Sequence, residues 1–208
     1  MQGETREYIN TYLSTLVVLA EQIPREDIEK AIELLFDAWR NDAQVFVLGN
    51  GGSASTATHF ACDLSKTTIV GNARRFKVMD LVDNIPLVSA WSNDSGFGSI
   101  FAEQLKPWLR EGDVVIGISV HGGSGEGEAG PWSQNLMQAV RLAKERKAKV
   151  IGFSGFGGGV MKDLADVSIV VPIDQEPLGT PLVESFHVVL HHLVCSALKL
   201  KIGREAKG

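Results

Sequence analysis

From residue 44 onward, short apolar runs recur between polar or helix-patterned stretches: VFVL from Val45, FKVMDLV from Phe76, PLVSAW from Pro86, DVVIGIS from Asp113, KVIGFSG from Lys149 and VSIVVP from Val167. Several of these runs are continuously apolar rather than alternating, as in strands buried on both faces. Strands of that kind need helices above and below them, so the expected fold is α/β, a three-layer, doubly wound parallel sheet. In such sheets ligands sit beyond the carboxyl ends of the strands. Three runs lead directly into polar turns, GNGGS at 49, SNDSG at 92 and SVHGG at 119, and these are expected to form one site.

The first 43 residues have a different texture. Tyr8, Ile9, Tyr12, Leu13, Leu16 and Val17 repeat at helical spacing, Pro24 interrupts, and Ile28, Ala31, Ile32, Leu34, Leu35, Ala38 and Trp39 repeat again. The expected organisation is a helical hairpin over 1–43, packing on the main domain and on other subunits, followed by an α/β domain over 44–208. The chain's 208 residues suffice for one core of that size.

Charge and composition exclude several classes of function. A net charge of -5, with no basic run longer than RKAK, leaves no electrostatic footprint for nucleic acid or an anionic membrane. No window approaches 18 uninterrupted apolar residues, and MQGETREYINTY lacks the apolar core of a secretory signal, so a cytoplasmic location is expected. Cys62 and Cys195 fit no metal spacing and are too few for a disulfide framework.

In the first turn, Gly49, Gly51 and Gly52 permit a tight strand-to-helix connection, and Ser53, Ser55, Thr56 and Thr58 place hydroxyls near a helix N-terminus. An anion or a polyol suits such a turn. GNGGSA also satisfies the dinucleotide pattern G-x-G-x-x-G/A, but Arg74 and Arg75 stand where an acidic ribose ligand is needed, so no nicotinamide cofactor is expected. His59 and Asp63, spaced i and i+4, share one helix face and can address a ligand or a metal ion. Near the other end, ESFHVVLHH supplies Glu184, His187, His191 and His192. Helical periodicity places Glu184, His187 and His191 nearest one face and turns His192 away from Glu184, without choosing among the histidines.

Taken together, GNGGSA with a histidine six residues after its serine, SNDSGF, the serine turn after DVVIGIS, and the C-terminal helix of acid and histidines resemble the sugar isomerase (SIS) domain family. Within that family they are most similar to phosphoheptose isomerases, which interconvert sedoheptulose 7-phosphate and a heptose 7-phosphate. The resemblance implies a sheet of about five strands preceded by N-terminal helices, and a homotetramer with active sites between subunits. It implies sugar binding by Asn50, Gly51, Ser53, Asn93 and Asp94, and a zinc site of His59, Asp63, Glu184 and His192. Asp63 and His192 fall on the catalytic positions, with His191 as the fallback for His192. Two residues depart from the family pattern: Asp63 replaces a glutamate and Glu184 replaces a glutamine.

The reaction so implied is aldose-ketose isomerisation through a cis-enediol, in which one group removes the proton next to the carbonyl while another serves the adjacent oxygen. The phosphate loop departs most. Ser119 is retained, His121 replaces a serine, and the next phosphate-binding serine is either Ser124 or Ser133, depending on where the extra residues fall. Ser133 precedes QNLMQAV and is a good helix N-cap. The alternative from another class is a non-catalytic SIS module that binds a sugar phosphate or a protein partner such as the replication initiator.

Overall fold

The computed structural model describes residues 2–123, 133–173 and 175–207. In chain order the elements are α1 (Gln2–Gln22), α2 (Arg25–Arg40), β1 (Gln44–Gly49), α3 (Gly52–Lys66), β2 (Lys77–Asp80), α4 (Ile85–Ser95), α5 (Ile100–Leu105), β3 (Val114–Ile118), α6 (Gln134–Glu145), β4 (Lys149–Gly155), α7 (Gly159–Leu164), β5 (Val167–Val171) and α8 (Gly179–Glu205). The five strands form one sheet in the order β2-β1-β3-β4-β5, and every pair is parallel. Alternate residues of each strand serve opposite faces. Val45, Val47, Ile116, Ile151, Phe153 and Ile169 join a core with α2, α3 and α8, while Phe46, Leu48, Val115 and Val150 join a second one with α5, α6 and α7. This is the expected three-layer arrangement.

The strand order reverses direction between β1 and β3, which opens a crevice at their carboxyl ends. Five of the six apolar runs are strands. The sixth, PLVSAW, is not: Asn84 caps a helix there by accepting from the Leu87 N–H, and Pro86 stands in its first turn, where a missing N–H costs nothing. The SND residues therefore lie in the last turn of α4 instead of following a strand.

The two N-terminal helices behave differently. Ile28, Ala31, Leu35 and Trp39 of α2 are buried in the main core, and the Trp39 indole donates to the Arg74 carbonyl. On α1, by contrast, Tyr8, Ile9, Leu13 and Val17 are exposed. Helix α8 is long and apolar enough to cross a membrane by length and composition, but its buried residues pack against α2, α3 and β4.

His187 of α8 sits in that core, 1% exposed, with its ring edge-on to Phe153. Burial holds it well below the usual histidine value of 6.5, at about 4. Since the unfolded chain takes up this proton first, the associated stability is complete above about pH 6.5 and is lost as the pH falls toward about 4. Chemical denaturation at pH 7 and pH 5 is expected to show a loss of about 2 kcal/mol from this residue alone. His187→Leu, which fills similar space and does not titrate, is expected to flatten the profile by that amount.

Candidate functional site

Helix α3 begins at the carboxyl end of β1 because Gly51 takes φ 56°, ψ -124°, a conformation that favours glycine, and lets the chain turn sharply into Gly52. From there α3 runs in the same direction as α8. Three contacts show this: a side chain on Gly52 would strike the Glu184 carboxylate, His59 meets His192, and Gly203 lies near Val70. The close passage of the two helices brings four side chains together.

Asp63 stands at the centre of the group. Its Oδ2 lies 3.3 Å from His191 Nε2, 3.3 Å from His192 Nε2 and 3.7 Å from His59 Nε2. The Nε2 atoms of His59 and His192 are 3.4 Å apart, and the four donor atoms all fall within 4.8 Å of one another. Oδ1 of Asp63 points elsewhere and accepts from the Thr67 hydroxyl at 3.1 Å. His59 and His192 are about half exposed, whereas His191 is fully buried under them, stacked on Phe60. Burial, with His192 and His59 beside it, holds His191 at about 4, so the ring is neutral near pH 7. Burial also pushes the neighbouring Cys195 thiol up, with the Asp63 charge adding to the effect, which leaves it an inert core group.

Two or three imidazoles and one carboxylate are a donor set that suits a divalent ion such as zinc. Glu184 is not brought into this set. It shares the face of α8 that periodicity indicated, but eight residues of helix rise about 12 Å, and its carboxylate instead packs against Gly52 at the start of α3. The expected ligands His59, Asp63 and His192 are adjacent, and His191 joins them where Glu184 does not.

The second half of the site lies at the β1/β3 crevice. Asn50 and Asn135 exchange side-chain amide hydrogen bonds of 2.9 and 2.8 Å, which tie the turn before α3 to the first turn of α6. Asn135 is fully buried, and its Oδ1 also accepts from the Leu136 N–H. Its role was hidden in the sequence, where only the SQN helix start gave a signal. The result is two helix N-termini held side by side, the natural arrangement for an anion. Ser133 occupies the N-cap of α6 with no capping bond from its hydroxyl, and Ser53 is buried in the first turn of α3. A cleft of about 180 Å³ adjoins this corner, lined by Asn50, Gly51, Val82, Val88, Phe97 and Phe101 among others.

Ser119 follows β3 and is half-buried, while exposed His121 lies with its ring 4.4 Å from that of Phe156 in the turn after β4. The first backbone N–H groups of α7 are taken by the carbonyls of Gly122 and Gly123, so that helix offers them to no ligand. Asn93 and Asp94 are exposed and bond to each other at 2.8 Å, outside the cleft lining. Ser124 lies outside the described residues.

The family model for the SIS domain matches residues 7–155, most of the chain, and the chain belongs to the SIS domain family. Its relatives include phosphoheptose isomerases. That of Geotalea daltonii is 31% identical over 211 residues, covering 100% of both chains. The structure of phosphoheptose isomerase from Neisseria gonorrhoeae superposes with a TM-score of 0.80 at 28% identity, covering 93% of this chain and 98% of that one. A lincomycin biosynthesis protein of Streptomyces lincolnensis is 50% identical over 165 residues, which span 79% of this chain but 59% of that longer relative.

Proposed function

We propose that this chain is a phosphosugar aldose-ketose isomerase that interconverts sedoheptulose 7-phosphate, or a close relative of it, with the corresponding aldose phosphate. The observation that carries the reading is the placement of the Asp63 carboxylate against His192 at the half-exposed edge of α3 and α8, in a chain similar end to end to phosphoheptose isomerases. A carboxylate flanked by imidazoles is suited to moving a proton between adjacent carbons. Asp63 takes the proton next to the substrate carbonyl and returns it to the neighbouring carbon, with Thr67 fixing the orientation of the carboxylate through Oδ1. His192 serves the adjacent substrate oxygen, exchanging a proton with it when Nε2 is not engaged by a metal ion. Bound zinc, held by His59, Asp63 and His192, would supply Lewis-acid polarisation of the sugar oxygens.

The phosphate is assigned to the corner where α3 and α6 begin. The amides after Gly51 and the hydroxyls of Ser53 and Ser133 are assigned to the anion there, with Ser119 on the β3 side. Asn93 and Asp94 are assigned to sugar hydroxyls, and Ser124 to the phosphate loop. The exposed apolar residues of α1, with Ile85 and Leu87 of α4, support assembly with further copies as a homotetramer. We place the protein in the cytoplasm, without nucleic-acid or membrane partners.

A second reading keeps the chemistry and changes the sugar. His121 against Phe156 rebuilds the loop beside Ser119, and a relative at 50% identity serves lincomycin biosynthesis, so a sugar phosphate of another length or substitution fits as well. Incubation with sedoheptulose 7-phosphate and with longer and shorter ketose phosphates, followed by detection of the aldose, tests both readings. Turnover of one ketose phosphate is expected. Tight binding of all of them without turnover would make the chain a sugar-phosphate-binding module.

A further inference from the structure

We propose that His191 is itself a metal ligand in this chain, so that one divalent ion is held by His59, Asp63, His191 and His192 of a single subunit, with Glu184 outside the set. The proposal rests on the metal-site reading above and goes beyond it in the identity of the ligands.

The first support is spacing. Donor atoms about 2.0–2.1 Å from zinc at the corners of a tetrahedron are about 3.3–3.4 Å from each other. The distances here are 3.3 Å for Asp63 to His191, 3.3 Å for Asp63 to His192 and 3.4 Å for His59 to His192, with Asp63 to His59 slightly longer at 3.7 Å. Four of the six separations among these donors thus stand close to the edge lengths of one zinc polyhedron, and all six are within 4.8 Å. The same distances are long for hydrogen bonds between charged partners.

The second support is independent of spacing. His191 has no exposed surface, and neither of its ring nitrogens makes a hydrogen bond. A buried polar group without a hydrogen bond calls for an explanation, and a bound ion is one of the few available. Nε2 of His191 lies 3.3 Å from Asp63 Oδ2, an ion-pair approach that does not reach hydrogen-bond geometry. Phe60 and the rings of His59 and His192 hold the imidazole in place. His191 therefore closes the buried side of the group and leaves the exposed side, between His59 and His192, toward solvent.

The test is made on protein stripped with chelator and reloaded with zinc or with cobalt(II). His191→Leu is expected to weaken zinc binding, measured by competition with a chromophoric chelator, by at least about tenfold and to change the visible cobalt(II) spectrum. Glu184→Gln is expected to leave both within about threefold of the parent protein. X-ray absorption on the zinc-loaded natural chain is expected to report three imidazoles, and it decides the matter if the leucine variant does not fold. Unchanged affinity and spectrum in His191→Leu, two imidazoles in the natural chain, or no zinc binding by that chain would each overturn the proposal. Aldose formation is followed in the same samples: turnover by a chain that binds no zinc overturns the ligand set and leaves the isomerase reading in place.

Discussion

Replacing Asp63 by Asn is expected to lower kcat/KM for isomerisation by roughly 10²–10⁴-fold, the usual contribution of a positioned acid-base group. The substitution keeps the size of the side chain and an oxygen able to accept from Thr67. What it removes is the negative charge, and with it both the capacity to take a proton from carbon and the anionic donor of the metal set. Asp63 is only 15% exposed and sits where three imidazoles converge, and it is the one carboxylate in that group among the described residues. Steady-state kinetics with the aldose and the ketose, beside a circular dichroism spectrum to show intact secondary structure, give the comparison. A loss smaller than about tenfold would move the role of base to another group.

Gly122→Ala is expected to have the largest effect on stability, about 3 kcal/mol or more, read as a lowered denaturant midpoint. Gly122 has φ 70°, where a side chain is strained, and a Cβ built there would lie 1.8 Å from the Gly158 carbonyl oxygen. Both neighbours are backbone, so relief requires the loop after β3 to part from α7. The carbonyl of Gly122 accepts from Met161 and that of Gly123 from Val160, and these bonds are lost with the contact. His121 belongs to the same turn, which means that activity is expected to fall with stability. Gly52→Ala is a useful contrast: the Cβ there would be 2.2 Å from Glu184 Oε1, the end of a flexible side chain that can move.

Much of this arrangement was legible in the residues. Continuous runs such as VVIGI and VIGFSG have no other stable home than a covered parallel sheet, and the glycine turn after VFVLG announces a helix N-terminus at a strand end. PLVSAW misled because a short apolar run does not reveal its period; the Asn84 cap and Pro86 were the local signs of a helix. Helical periodicity placed His187 and His191 on one face, which the structure buries, but it carries angle without rise, so it grouped Glu184 with histidines two turns away. The Asn50–Asn135 pair joins residues 85 positions apart, a contact that no local pattern encodes. The approach of His191 to Asp63 was equally hidden, since it depends on how α3 and α8 lie against each other.

The proposed function requires Asp63 to move a proton between adjacent carbons of a phosphorylated sugar. The most direct measurement converts sedoheptulose 7-phosphate with the metal-loaded protein in deuterated water and locates deuterium in the aldose by mass spectrometry and proton NMR. Deuterium is expected at the carbon next to the new carbonyl, and is expected to be absent when Asp63→Asn replaces the natural chain. Aldose formed without deuterium would mean that hydrogen passes directly between the carbons as hydride, and the proton-transfer role of Asp63 would be contradicted.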